Sequence, residues 1–374
     1  MLAGDRIAVL LRVETKTGHK DTRSANRRLV LQALLRSDGH SRADLTRMTD
    51  LAPATVSALV SDLLDEGLAE ELGWGPVKVG KPSRLLGLRA GARSIVCVDI
   101  GDSSVLRAAV VDLAGEVLYR VERRFEDVTG EAAVVMTEEA VATALSAAPA
   151  PLLGIGVGTP GLVAPDGTVV EASNLRWSGL GLARRLATRF GHAVWVSNDA
   201  NAAALAEFSY GPACQSLLSV RIGIGVGAGI VLNGQLHLGE SFAAGEIGHM
   251  AVDDDGPLCR CGNRGCLETF VAMPRLSTAI AASDDARRAV ASAGRRLGLA
   301  LAGAVSVLDI HDVVVSGSAL PLPDVFCGAA AEALRAHTLS GAGRCIDLRP
   351  SGLGADTVLL GVSVLVLSQE LGVA

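Results

Sequence analysis

Gly245-Glu246-Ile247-Gly248-His249, followed shortly by Cys259-Arg260-Cys261-Gly262-Asn263-Arg264-Gly265-Cys266-Leu267-Glu268, is the stretch from which the fold can be read. One imidazole and three thiols fall between residues 249 and 266. A tetrahedral zinc site takes four nitrogen or sulfur ligands, and three cysteines with one histidine are a standard set. The intervening Asp253-Asp254-Asp255-Gly256-Pro257 is turn-prone and suited to fold Cys259 back towards His249. Gly262 and Gly265 let the backbone bend so that Cys261 and Cys266 converge. Three buried thiols and an unrelated histidine have no reason to cluster this tightly. His249, Cys259, Cys261 and Cys266 are therefore expected to bind zinc.

Two carboxylates bracket this knuckle, Glu246 and Glu268. A loop fixed by metal holds both in place to accept hydrogen bonds from the hydroxyls of a polyol. Without the metal they read as two solvated surface acids. The pattern Gly-Glu-x-Gly-His, then Cys-x-Cys-Gly-x-x-Gly-Cys-x-Glu, resembles the zinc-binding signature of the ROK family of repressors, uncharacterised proteins and sugar kinases. The resemblance implies that the zinc is structural and that Glu246, His249 and Glu268 contact a sugar.

The bulk numbers agree with a regulator or enzyme of ordinary size. A chain of 374 residues suggests two or three domains, and 49% hydrophobic content can fill a sizeable core. Aromatic residues make up only 3%, so small side chains do most of the packing. The net charge of −6 gives no global basic field for nucleic acid, so any DNA contact must come from a local patch. Seven cysteines, three of them claimed by the metal site, and the lack of a signal peptide point to a reducing cytoplasm. Ile7-Ala8-Val9-Leu10-Leu11 is too short for a secretory segment, and the apolar runs read as too short to span a bilayer.

Residues 1–22 read as a disordered tail or as the product of an upstream start codon. Residues 23–90 then read as one DNA-binding domain. Leu29, Val30, Ala33 and Leu34 recur at helical spacing. Ser41 and Asp44 resemble a capping box for a second helix. In the third, Pro53 suits the first turn, Val56, Leu59, Val60 and Leu63 form the buried stripe, and Gly67 closes it. Two short strands, Leu68 to Glu71 and Arg84 to Leu88, flank a loop carrying Lys78, Gly80, Lys81 and Pro82. Three helices and a basic wing make a winged helix-turn-helix, with the third helix in the major groove and the wing on phosphate or in the minor groove. The same stretch resembles the DNA-binding end of ROK repressors. Pro53 and Ala58 stand where that family commonly places arginine, so contacts fall to Thr55 and Ser57 with Arg42, Arg47, Lys78 and Lys81.

From residue 93 onward strands and helices alternate, the mark of an α/β fold. By resemblance this is the two-lobed, actin-like ATPase domain of ROK proteins, which is RNase H-like. Its first lobe is expected over about 93–200 plus 362–374 and its second over about 201–361. Val194 to Asn201 reads as a strand running into a helix, which puts Asp199 at the carboxyl end of the strand, where α/β folds place ligands. A carboxylate there serves as general base towards a sugar hydroxyl, or simply caps the helix. Asn198-Asp199-Ala200-Asn201 matches the family's sugar motif, and Asn174-Leu175-x-Trp177 its other sugar loop. The sugar set so implied is Asn174, Asn198, Asp199, Glu246, His249 and Glu268.

The phosphate side departs from the kinase pattern. Asp99-Ile100-Gly101-Asp102-Ser103 stands for Asp-x-Gly-Gly-Thr, and Gly223-Ile224-Gly225-Val226-Gly227-Ala228-Gly229 for Gly-Thr-Gly-x-Gly-x-Gly. Asp102 replaces a glycine, and a carboxylate about 4 Å from a phosphate charge costs on the order of 4 kcal/mol at an effective dielectric of about 20. Ile224 removes a hydroxyl donor, and Val315-Ser316-Gly317-Ser318 has one glycine where kinases show a run. The expectation is a sugar-responsive DNA-binding regulator, a dimer or tetramer, taking a sugar or sugar phosphate but no ATP, with no membrane association and no catalytic residue. The alternative is an ATP-dependent sugar kinase carrying an added DNA-binding domain, with Asp199 as its base.

Overall fold

Hydrophobic periodicity at the N-terminus builds three helices, α1 (His19–Leu35), α2 (Arg42–Thr49) and α3 (Pro53–Asp65), then an antiparallel ribbon of β1 (Ala69–Trp74) and β2 (Arg84–Leu88). The computed structural model describes residues 19–35, 39–75, 82–101, 104–212, 214–317, 320–339 and 345–373. The tail expected over residues 1–22 is corrected at its end, because α1 already starts at His19; residues 1–18 lie outside the described residues. Ser41 caps α2 in a complete capping box with Asp44. Val56, Leu59, Val60 and Leu63 are the buried residues of α3, as their spacing requires. That helix ends in a Schellman-type turn: Leu68 N–H reaches the Leu63 carbonyl at 2.9 Å, and Gly67 adopts φ +69°. His40 pairs with Leu86, so the wing has a short third strand.

The rest of the chain folds one topology twice. The first sheet contains β3 (Ser94–Asp99), β4 (Val105–Asp112), β5 (Val117–Arg124), β6 (Leu152–Thr159) and, beyond a small three-stranded sheet, β10 (Val194–Asn198). Its order is β10-β6-β3-β4-β5: an antiparallel meander with two parallel strands added on the β3 side. The small sheet is β7 (Leu162–Val163), β8 (Val169–Ala172) and β9 (Trp177–Leu180), and α4 (Gly130–Ser146) and α5 (Leu182–Phe190) cover this lobe. The second sheet repeats the pattern with β11 (Leu217–Ile222), β12 (Val226–Leu232), β13 (Gln235–Leu236), β14 (Asp312–Ser316) and β15 (Asp347–Pro350), in the order β13-β12-β11-β14-β15. Its helices are α7 (Glu268–Val271), α8 (Met273–Ala281), α9 (Ala286–Leu308) and α10 (Pro323–Ala336). This is the two-lobed, actin-like α/β architecture behind a winged helix.

Two helices join the halves. α6 (Asp199–Tyr210) leaves the end of β10 and packs on β11 and β12, while α11 (Thr357–Leu371) packs on α6, β6 and β3. All of α11 therefore belongs with the first lobe, which moves that boundary back from the expected residue 362. Gly361 makes this crossing possible, since a Cβ there would lie 1.8 Å from the Ala202 carbonyl oxygen. The segment Gly354–Leu371 is long and apolar enough by length and composition to cross a membrane, which the sequence reading had excluded; half of it is buried inside this fold.

The winged helix is not a separate body. One apolar cluster runs from Val30, Leu34, Val56, Leu63 and Leu86 to Ile95, Cys97, Ala109, Val362, Val366 and Val373. The 3₁₀ turn Ala90–Ala92 that joins them is tied on both sides, Arg89 N–H to the Leu68 carbonyl at 2.9 Å and Leu113 N–H to Ala90 at 3.1 Å. The segment 89–93 is therefore a packed joint between the winged helix and the first lobe. Of the cysteines outside the knuckle, Cys97 and Cys327 are buried, Cys214 is half-buried and Cys345 is exposed.

Candidate functional site

The chain turns at Asp253, where Gly256 N–H bonds back to the Asp253 carbonyl at 3.0 Å. It then makes a tight knuckle in which Gly262 and Gly265 take φ +92° and +61°. A side chain at Gly265 would meet the Asp253 carbonyl oxygen at 1.5 Å, so both the turn and the contact demand glycine. His249 Nδ1 then lies 3.6 Å from Cys259 Sγ, and Cys261 Sγ lies 3.6 Å from Cys266 Sγ. All four ligand atoms fall within 4.8 Å of one another. Ligands about 2.0–2.3 Å from a tetrahedral zinc ion stand roughly 3.5–3.8 Å apart, so the donor set fits such an ion. The backbone N–H of Asn263 lowers the Cys261 thiol to about 7, towards the thiolate that a metal needs. Burial pushes Cys259 up to about 12, and its thiol donates to Glu268 Oε1 at 2.8 Å. His249 Nε2 lies 3.8 Å from Glu246 Oε2 and Nδ1 3.7 Å from Glu268 Oε1, so both flanking carboxylates face the imidazole.

Between the lobes lies a cavity of about 830 Å³. Asn174, Asn198, Asp199, Glu246, His249 and Glu268 all line it, so the six residues expected to contact sugar are brought together. The first lobe supplies Asn174 from the β8–β9 loop, held by Trp177 Nε1 donating to the Gly130 carbonyl at 2.9 Å. Asn198, not Asp199, caps α6: its Oδ1 accepts from Ala200 and Asn201 N–H at 2.9 and 3.1 Å, and its Nδ2 donates to Gly161 at 2.9 Å. Asn198 is thus largely spent on backbone and serves to place Asp199.

Asp199 is engaged as well. Arg221 on β11 donates through Nε to Asp199 Oδ2 at 2.8 Å, with side-chain exposures of only 12% and 14%. Its Nη2 stands 3.8 Å from Asp99 Oδ2, and burial pushes the Asp99 carboxyl up. A Cβ on Gly101 would lie 2.4 Å from Asp199 Oδ2 and 3.0 Å from Arg221 Nη2. Asp199 and the Arg221 guanidinium therefore pack directly against Gly101. Arg221, Arg260, Arg275 and Glu171 also line the cavity and were missed in the sequence. Nothing in the pattern marked them: Arg221 sits inside an apolar strand, and Arg260 reads as an exposed loop residue.

The phosphate-side glycines fall where expected, with Gly223, Gly225 and Gly227 in the cavity wall at the β11–β12 turn. Asp102, Ser103 and Ser318 lie outside the described residues, as do Lys78 and Lys81 of the wing. Of the other residues expected to contact DNA, Ser57 is exposed and Thr55 and Arg42 are half-buried on their helices. Arg47 is exposed but paired with Asp44.

A winged helix fused to a two-lobed sugar-kinase-like fold, with a Cys₃His knuckle at the cleft, defines a class of proteins. The ROK family profile matches residues 95–369, and the chain belongs to the ROK family. The xylose repressor of Bacillus subtilis is 27% identical over 372 residues, spanning 93% of this chain and 96% of that protein. A ROK family transcriptional regulator, described as a homologue of the Escherichia coli MLC protein, superposes with TM-score 0.79 at 22% identity over 94% of this chain and 96% of its own. The ROK hexokinase of Thermus thermophilus gives TM-score 0.61 at 31% identity, covering 96% of that enzyme but 72% of this chain.

Proposed function

We propose that this chain is a sugar-responsive transcriptional regulator, acting as a repressor of carbohydrate genes, in which a sugar in the interlobe cavity alters DNA binding by the winged helix. The observation that carries this is the engagement of Asp199 by Arg221, in a cavity that keeps all six sugar-type residues. A general base must be free to accept a proton from the attacking hydroxyl; here the Arg221 guanidinium pairs with it at 2.8 Å. The relatives support the reading in two ways. The repressor match extends over the winged helix, whereas the hexokinase is nearly used up by the part that follows it.

In this reading the second and third helices and the wing meet operator DNA through Arg42, Arg47, Thr55, Ser57, Lys78 and Lys81, and the protein works as a homodimer or homotetramer. Zinc on His249, Cys259, Cys261 and Cys266 holds Glu246 and Glu268 at the cavity wall. The test is calorimetry with Mg-ATP beside retention of the chain's own promoter fragment, with and without a panel of monosaccharides. The expected result is no ATP binding, and salt-dependent DNA retention changed by one sugar. Turnover of ATP and sugar that vanishes in Asp199→Asn would replace this reading with the kinase.

A further inference from the structure

The third helix of the winged domain is poorly equipped to read bases. Helix α3 carries no arginine, lysine, asparagine or glutamine, the side chains that grip base edges with two bonds in the major groove. Its exposed positions Ala54, Ser57, Ala58 and Ser61 offer only methyls and single hydroxyls. The wing differs. Trp74, one of three tryptophans in the chain, is 64% exposed there. Trp177 and Trp195 donate their indole N–H to Gly130 and Glu370, whereas that of Trp74 has no acceptor among the described residues. The ring does not sit on a frayed end. Trp74 and Arg84 are the last registered pair of the ribbon, and Gly75 N–H extends it to the Ser83 carbonyl at 2.9 Å. The Arg84 guanidinium lies 4.8 Å from the ring centroid and is itself held by Glu71. A bulge between Glu71 and Gly73, with Gly73 at φ +113°, re-aims the strand just ahead of the ring. The neighbouring Leu72 is used internally, since a Cβ on Gly87 would lie 2.7 Å from its Cδ1.

We propose that Trp74 reads the operator in the minor groove, its indole N–H donating to the acceptors of an A·T pair, and that the wing rather than α3 carries most of the sequence discrimination. This rests on the DNA-binding reading above. The indole N–H is a donor and never an acceptor. In the minor groove an A·T pair, in either orientation, shows only acceptors, adenine N3 and thymine O2; a G·C pair adds the guanine N2 amino group. That amino group faces the indole donor with another donor and stands where the ring edge enters. A flat ring suits a groove about 6 Å wide. Arg84 is a positioning residue: stacked on one face, it fixes the ring's orientation, and its charge offsets the Glu71 carboxylate that the phosphates would otherwise meet. The other occupant of an exposed tryptophan is a protein partner. Charge favours DNA, because between Trp74 and Arg84 the sequence holds Lys78, Lys81 and Arg84 and no acidic residue, in a chain whose net charge is −6.

The experiment uses the full chain and its own promoter fragment. Hydroxyl-radical footprinting of the wild type and Trp74→Ala locates the sugars that the wing protects. The base pairs there are set in turn to A·T, to G·C, to inosine·C, which joins the minor groove of A·T to the major groove of G·C, and to 2,6-diaminopurine·T, which does the reverse. The wild type should hold A·T and inosine·C alike and bind G·C and diaminopurine·T about tenfold more weakly. Trp74→Ala should lose about tenfold on A·T, bind all four alike, and keep the wild-type salt slope, since no charge is removed. Trp74→Phe, which keeps a ring without the donor, should fall between the two. Thermal unfolding checks that the variants fold. The proposal is overturned if Trp74→Ala holds the promoter as tightly as the wild type, if it keeps the wild-type preference among the four pairs, or if inosine·C behaves like G·C, which places the reading in the major groove. Unchanged DNA affinity in Trp74→Ala with an altered oligomer mass by sedimentation assigns the ring to a protein contact instead. If the wild type retains no promoter fragment even at low salt, the DNA-binding reading falls and this inference with it.

Discussion

Leu63 is wholly buried on α3, in the cluster that runs without interruption into the first lobe. Replacing it with alanine removes three carbons from a packed site, which costs about 2–5 kcal/mol including the cavity left behind. If the winged helix were an independent domain, only its own unfolding would shift. A shared core predicts that the first lobe shifts with it. The three tryptophans separate the cases: Trp74 lies in the wing, 64% exposed, while Trp177 and Trp195 lie in the first lobe. Trp195 is bonded to Glu370 of α11 at 2.9 Å, so its emission reports the packing of that helix. Urea unfolding is followed by fluorescence in the Trp74→Phe background, which isolates the lobe, and by the difference from the parent, which isolates the wing. With a denaturant slope of about 3 kcal/mol/M, a loss of about 3 kcal/mol moves the midpoint by about 1 M. Both signals should move together by that amount. A first-lobe midpoint unchanged in Leu63→Ala, with the Trp74 signal alone displaced, would refute the fused core.

Three further outcomes follow from the same geometry. Chelation should release one metal per chain by elemental analysis and lower the melting temperature, with Cys266→Ser behaving like the chelated wild type; sugar affinity should fall in both, because Glu246 and Glu268 lose their anchor. Glu207 is buried on α6 beside Ser351, and desolvation raises its carboxyl above the usual range. The stability from its protonated form is complete below the unfolded value of about 4.3 and is lost as pH rises through the folded one. Glu207→Gln should therefore melt higher than the parent at pH 7 and lose that advantage by about pH 4.5; an advantage independent of pH would contradict the assignment. In the wing, Lys78→Ala with Lys81→Ala should weaken operator retention evenly across sequences and reduce the slope of log K against log salt by about two.

Which features were legible in the sequence follows a physical division. Local chemistry was readable: the Ser41 and Asp44 cap, the stripe of α3 and the knuckle glycines all act within a few residues, and each appears as the spacing implies. Asp199 does line the cavity, at the end of β10, but the helix-cap role that its position also allows belongs to its neighbour Asn198. What stayed hidden is long-range. Arg221 meets a partner 22 residues away and Arg260 one 86 residues away, and no local pattern encodes either pairing.

The hidden pairings also change the argument about chemistry. From sequence, loss of the phosphate grip rests on two substitutions: Asp102, which sets a carboxylate against the phosphates, and Ile224, which removes a hydroxyl donor. The folded chain adds a different term, a cation paired with Asp199 at 2.8 Å. Restoring a glycine at position 102 and a threonine at 224 would repair the first defect and leave the second untouched. Such a double variant should therefore still fail to phosphorylate any sugar, whatever affinity for Mg-ATP it regains by calorimetry. If it turned over with Arg221 in place, the pairing of Asp199 with Arg221 would not bar catalysis, and the kinase reading would stand.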